Sequence, residues 1–175
     1  MSSAPHHDAP EAGPLSHVGP EGKARMVDVS DKPVTGRMAR AEAWVHVGPE
    51  IAAMLRETGG VHKGSVLETA RIAGIMAAKR TAGLVPMCHP LQLDVIDVDA
   101  KLVEDRVHIV SRVTCRGGTG VEMEAMTAAS VAALTVYDMV KSAGKGIEIG
   151  PVRLLEKCGG KSGHWRREDS NDGED

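Results

Sequence analysis

Leu91-Gln-Leu-Asp-Val-Ile-Asp-Val-Asp-Ala-Lys101 and Val107-His-Ile-Val-Ser-Arg-Val-Thr-Cys115 both carry an apolar residue at nearly every second position. Successive side chains of a strand point to opposite faces, so a period of two predicts strands with one buried side. Glu104-Asp105-Arg106 joins the two runs, which makes them a hairpin or a neighbouring strand pair. Downstream, Gly117-Gly118-Thr119-Gly120 breaks the chain, residues 122–142 read as the longest helix, and Ile147–Leu155 reads as a final strand. Gly150-Pro151 interrupts that strand, and a proline there suits an edge or a bulge better than a central position.

Upstream, Ala39-Arg-Ala-Glu-Ala-Trp-Val-His-Val47 alternates in the same way and predicts another strand. Pro49 opens a short helix to Glu57, which Gly59-Gly60 ends. Ser65-x-x-Glu68 is a capping box for a second helix reaching about Ala82, closed by Gly83. Its Ala70, Ala73, Gly74 and Ala77 form a small-residue stripe suited to close packing. Pro86 and Pro90 hold Met87-Cys88-His89 extended, because a residue before proline avoids the helical region. The order is β-α-α-β-β-α-β. Without the short helix it is the split arrangement of a ferredoxin-like α+β fold, an antiparallel sheet with helices on one face. The other face would be open, and an Ala- and Val-rich face there would pair with a second subunit, so a homo-oligomer is expected.

The 175 residues favour one domain, and 42% hydrophobic content is enough for a core. With no Phe, one Tyr and two Trp, that core must be built from Ala, Val, Leu, Ile and Met. The net charge of −3 is unevenly placed. Residues 26–163 hold 17 basic and 16 acidic side chains, while residues 168–175 hold five acids and no base. A body near +1 lacks the basic field of a nucleic-acid binder. Three cysteines without a C-x-x-C pair argue against a disulfide framework and for a reducing compartment. No run approaches the ~18 apolar residues of a membrane span, and the N-terminus has no apolar signal region. The expectation is a cytoplasmic protein with no membrane partner. Residues 1–25, rich in Pro, Gly, Ser, Ala and His, and the acidic residues 166–175 are expected to be disordered tails around a single domain, 26–165.

Several side chains could carry chemistry. At 100° per residue, Thr127, Ser130, Asp138 and Lys141 share one stripe of an otherwise apolar helix. Such a stripe faces solvent, a pocket or a partner; the plain alternative is an exposed ion pair at i,i+3 spacing. Glu122 and Glu124 lie on one side if the chain is extended there and 200° apart if it is helical. Near a helix start, both are stabilised by the dipole. Glu124 and Asp138 are 14 residues apart, about 21 Å along a straight helix. They cannot act on one atom within one chain, so each site is expected to draw on two subunits. His89 reads either as a structural imidazole or as a proton shuttle and phosphate donor. Cys88 as a nucleophile, and zinc held by Cys88, His89 and the glutamates, are weaker readings, since the spacing matches no standard zinc site. Gly60-Val-His62-Lys63-Gly64 puts a lysine beside a helix N-terminus, an anion-site pattern. Lys157-Cys-Gly-Gly-Lys161-Ser-Gly163 is a basic glycine-rich loop without Walker A spacing.

Taken together, Met26-Val-Asp-Val-Ser30, His62-Lys-Gly-Ser-Val-Leu67, Ala70-Arg-Ile-Ala-Gly74, Pro86-Met-Cys-His-Pro-Leu91, Gly120-Val-Glu-Met-Glu-Ala125, Tyr137-Asp-Met139 and the loop 157–163 resemble the MoaC family, the cyclic pyranopterin monophosphate synthases of molybdenum cofactor biosynthesis. The resemblance spans roughly 24–165. It implies a ferredoxin-like fold and a homohexamer, a trimer of dimers with active sites at the dimer interface. It also implies a lyase reaction: (8S)-3′,8-cyclo-7,8-dihydroguanosine 5′-triphosphate becomes cyclic pyranopterin monophosphate, with release of diphosphate. By resemblance Asp138 is the acid/base, with Lys141 and Lys63 beside it in catalysis. Met87, Cys88, His89, Glu122, Met123, Glu124 and Lys157 are implied to contact substrate. No cofactor or protein-bound metal is implied; whether Mg²⁺ accompanies the triphosphate stays open. Met87 and Cys158 stand where the family often has Leu and Ser, both mild departures.

Overall fold

Every second residue of the central strand is buried and nearly all of these are alanine: Ala39, Ala41, Ala43 and then Val45. Side chains this small let helices settle close to the sheet. The computed structural model describes residues 17–19, 21–58, 65–161 and 163–168. Five strands, β1 (Thr35–His46), β2 (Leu93–Val103), β3 (Arg106–Gly117), β4 (Glu148–Cys158) and β5 (His164–Arg166), form one antiparallel sheet in the order β2-β3-β1-β4-β5. Four helices connect them: α1 (Gly48–Thr58), α2 (Val66–Ala78), α3 (Thr81–Leu84) and α4 (Glu122–Val140). The protein is therefore α+β, with α2 and α4 packed side by side on one face of the sheet.

The hairpin is the one its alternation predicts. Val103 pairs with Arg106, so the turn is Glu104-Asp105 alone, with Glu104 at φ 53°. The Asp105 carbonyl accepts from the backbone N–H groups of Val47 and Gly48, which ties the hairpin tip to the end of β1. Half of the expected capping box forms: Glu68 N–H donates to Ser65 Oγ at 3.4 Å, while the Glu68 carboxylate receives Arg71 instead of the Ser65 N–H. The helix it opens stops earlier than expected, at Ala78 rather than about Ala82. Buried Thr81 turns its hydroxyl back to donate to the Ala78 carbonyl at 3.0 Å, satisfying an acceptor that the helix would otherwise use.

Gly74 explains the close approach of α2 to α4. A Cβ there would stand 2.9 Å from the Ala128 carbonyl oxygen and 3.3 Å from both Ala132 Cβ and Val98 Cγ1. Across the interface α4 offers Ala125, Ala128, Ala129, Ala132 and Ala133, all fully buried. In β4, Ala43 pairs with Val152 and Val45 with Ile149, so Gly150-Pro151 forms a bulge opposite Trp44, with a cis peptide bond. β5 pairs only with Glu156–Cys158, so Pro151 also lies on a free edge. β4 runs three residues past its expected end, and β5 had no alternation to reveal it.

The premise for self-association needs correction. The Ala- and Val-rich face is the one that the helices cover. On the open face Arg40, Glu42 and Trp44 register with Arg112, Val110 and His108 of β3, and Asp97, Asp99 and Lys101 of β2 continue the rows. That face is held by ion pairs, with Glu42 receiving Arg153 at 2.6 Å and His108 at 2.7 Å. His108 stacks on Trp44 at 4.0 Å. Val95 and Val103 of β2 are exposed at the ends of these rows, and further exposed apolar side chains sit on the outer side of the helices, at Ile72, Met76, Leu84, Leu134 and Tyr137.

At the termini, residues 1–16, 20 and 169–175 of the expected tails lie outside the described residues. Residues 17–19 pair with 21–25 as a small hairpin, with Val18 bridged to Ala24 and Arg25 N–H donating to the His17 carbonyl at 2.9 Å. Arg166 belongs to β5, and Arg167 donates to the Leu154 and Leu155 carbonyls.

Candidate functional site

The site begins where four chain segments meet at the N-terminal end of α4. The loop 86–90 enters between α3 and β2, pinned by Cys88 N–H to the Val85 carbonyl at 3.0 Å. Met87, Cys88 and His89 from this loop, with Glu122, Met123 and Glu124 from the first turn of α4, line a cleft of about 340 Å³. Val27, Val29 and Lys32 close it from the N-terminal side. A second cleft, of about 490 Å³, shares Lys32, Thr119, Gly120 and Glu122 with the first, so the two adjoin. It is lined by Lys32, Arg37, Lys157 and Lys161 and by Gly159-Gly160.

The two clefts differ in electrostatics. In the first, Glu124 is only 4% exposed, and burial pushes its carboxyl up from the ordinary value of 4.5, with the Glu122 charge adding to the rise. Its own backbone N–H offsets part of this. Both glutamates are helical, which decides the geometry that the sequence left open: Glu124 turns into the protein and Glu122 outward, to Lys157 at 3.0 Å. Burial, and after it the Glu124 charge, pushes the Cys88 thiol up, which disfavours a thiolate nucleophile. Asp28 is held low mainly by the hydroxyl and N–H of Ser30, and the charge of His89 lowers it slightly further. No group of three or more His, Cys, Asp or Glu gathers at metal-holding distance among the described residues.

The second cleft is cationic because of a backbone contact. Gly159 and Gly160 have φ of 104° and 73°, and a side chain on Gly160 would collide with the Arg37 guanidinium. Arg37 lies across the bare loop and donates from Nε to the Gly117 carbonyl at 3.2 Å. Thr35 Oγ1, at the wall of this cleft, is the one buried side-chain polar atom without a hydrogen bond among the described residues. Arg37 and Lys32 were missed by sequence reasoning. Arg37 lies before the stretch whose alternation predicted the strand, and only the pairing of Met38 with Cys158 brings it to the glycine loop. The glycine pair was the available sign that something passes closely there.

Asp138 and Lys141 do not join this assembly within one protomer. They sit at the other end of α4, as an exposed i,i+3 pair at 2.5 Å. The Asp138 hydrogen bond and charge raise the Lys141 ammonium above its ordinary value. Leu134 and Tyr137, exposed beside them, make the stripe less polar than expected. Ser130 donates to the Met126 carbonyl of its own helix. Lys63, with His62, lies outside the described residues.

Comparison with known proteins bears on what these clefts hold. Residues 26–160 match the model of the MoaC family. The chain belongs to the MoaC family. A cyclic pyranopterin monophosphate synthase from Thermomicrobium roseum is 53% identical over 157 residues, covering 89% of this chain and 94% of that protein. All the expected site residues of this MoaC-family chain, from Lys63 to Lys157, fall inside the family match. Among the described helices none is long and apolar enough to cross a membrane.

Proposed function

We propose that the chain is a cyclic pyranopterin monophosphate synthase, converting the cyclised 7,8-dihydroguanosine triphosphate to cyclic pyranopterin monophosphate and diphosphate. The observation that carries this is the pairing of two adjoining clefts, one with carboxyl and imidazole groups and one with four cations. A purine-derived ring offers N–H donors that suit Glu124, and a ligand donor there replaces the hydration that burial removed. Phosphates suit Lys32, Arg37, Lys157 and Lys161. When a ribose hydroxyl attacks the inner phosphate and diphosphate leaves, these cations and His89 stabilise the charge that develops.

Asp138, with Lys141, is the acid/base, and Lys63 a second catalytic cation. The distance of Asp138 from the clefts supports a site completed by a second chain, in a homohexamer built as a trimer of dimers. Leu134 and Tyr137, exposed beside Asp138, would be covered by such a neighbour. The strand order β2-β3-β1-β4 with helices on one face supports the ferredoxin-like class. The protein works in the cytoplasm, on a small-molecule substrate, without a resident cofactor; Mg²⁺ would travel with the triphosphate. Anaerobic incubation with the cyclised GTP derivative tests the reading. Cyclic phosphate product and diphosphate in equal amounts support it, and their absence with folded protein overturns it.

A further inference from the structure

The N-terminal hairpin reaches the first cleft. His17 lines it together with Cys88, His89 and Glu124, although His17 lies nine residues before the family match begins. The placement is built. Arg25 N–H donates to the His17 carbonyl at 2.9 Å, Gly19 N–H to the Lys23 carbonyl at 2.9 Å, and Val18 bridges Ala24. Gly22, at φ 74°, makes the turn. From Arg25 the chain runs directly into Val27 and Val29, which line the same cleft.

The imidazole is also oriented. Its Nδ1 is 3.3 Å from the Arg25 carbonyl oxygen. A carbonyl can only accept, so Nδ1 carries the proton and donates. In the neutral ring Nε2 is then left with a lone pair, and in the charged ring it is a second donor. We propose that the paired segments 17–19 and 21–25 are a strap across the ring-binding cleft, and that His17 Nε2 is a further proton-exchanging contact to the ligand heterocycle. This rests on the reading of the cleft as the ring end of the substrate site. A second imidazole beside His89 in the same cleft fits a reaction with several proton transfers.

Two variants in the full chain separate the strap from the proton carrier. Asparagine at 17 keeps an N–H donor at the Nδ1 position and has nothing at Nε2; alanine has neither. The first readout is the alkylation rate of Cys88, resolved by peptide mass spectrometry, with exposed Cys158 as the internal control. It is expected to rise several-fold in His17→Ala and to stay at the wild-type rate in His17→Asn. The second is kcat/KM with the cyclised GTP derivative, expected to fall at least tenfold in both. Unchanged Cys88 labelling in His17→Ala overturns the strap, and wild-type kcat/KM in His17→Asn overturns the role of Nε2. If the wild-type protein turns over no substrate, the synthase reading fails, while the labelling still decides the strap.

Discussion

Glu42 and Glu124 are both nearly shut off from solvent, at 5% and 4% exposure, yet their surroundings push them in opposite directions. Burial alone would raise Glu42, but hydrogen bonds from Arg153 and His108 outweigh it and hold the carboxyl below 4.5. Its folded-state pKa is depressed, so its contribution to stability is present above about pH 4.5 and is lost as pH falls through the lower folded value. Glu42→Gln should cost about 1.5–3 kcal/mol at pH 7, the range for hydrogen bonds to charged groups. The difference from wild type should shrink in acid. Glu124 is raised, so the sign reverses: its ionised form costs stability above the folded pKa, and the cost disappears below about 4.5. Glu124→Gln should therefore stabilise by on the order of 1 kcal/mol at neutral pH, the scale of an under-compensated buried polar group. The same variant should lose turnover, the trade expected of a group kept for chemistry. Thermal melts of both variants between about pH 3 and 8 check the opposite slopes; parallel slopes would refute this reading.

At the scale of elements, the α2–α4 contact concentrates its tolerance in one residue. Gly74→Ala gains helix propensity of roughly 1 kcal/mol, but it drives a methyl against the Ala128 carbonyl and Ala132. Overpacking of a tight interface costs about 1–3 kcal/mol, so a net loss is expected, read as a lower Tm with far-UV signal unchanged. A rise in Tm would show that the helices separate freely. This contact was legible before any coordinates, because Ala70, Gly74 and Ala77 share a helical face. So were the hairpin and the bulge at Gly150-Pro151, since local periodicity and proline chemistry determine them. The helix end at Ala78 was not, because it depends on which way the Thr81 hydroxyl turns. Nor was β5, three residues whose pairing depends on the reach of β4. For the site, the loop 86–90 and the two glutamates were readable as motifs. Arg37, Lys32 and His17 were not, because only tertiary pairing brings them to the clefts.

At the scale of the whole molecule, α4 acts as a spacer. Its first turn supplies Glu122 and Glu124 to the clefts, and its last turn holds Asp138 near Lys141 about 21 Å away by helical rise. A single protomer therefore has the binding groups at one end and the proposed acid/base at the other, and only association of subunits can unite them. That association leaves a signature in mixtures. In a two-fold dimer with shared sites, a Glu124→Gln chain paired with an Asp138→Asn chain has one site with both defects and one site with neither. Each variant alone should be inactive. An equimolar mixture after subunit exchange should recover roughly one quarter of wild-type activity, since half the dimers are mixed and each has one intact site of two. The recovered kcat per intact site should equal the wild-type value, with KM unchanged. Activity that stays at the level of the parent variants, once native mass spectrometry shows that exchange is complete, would mean that Glu124 and Asp138 of one chain serve the same site, and α4 would have to bend or break for them to meet.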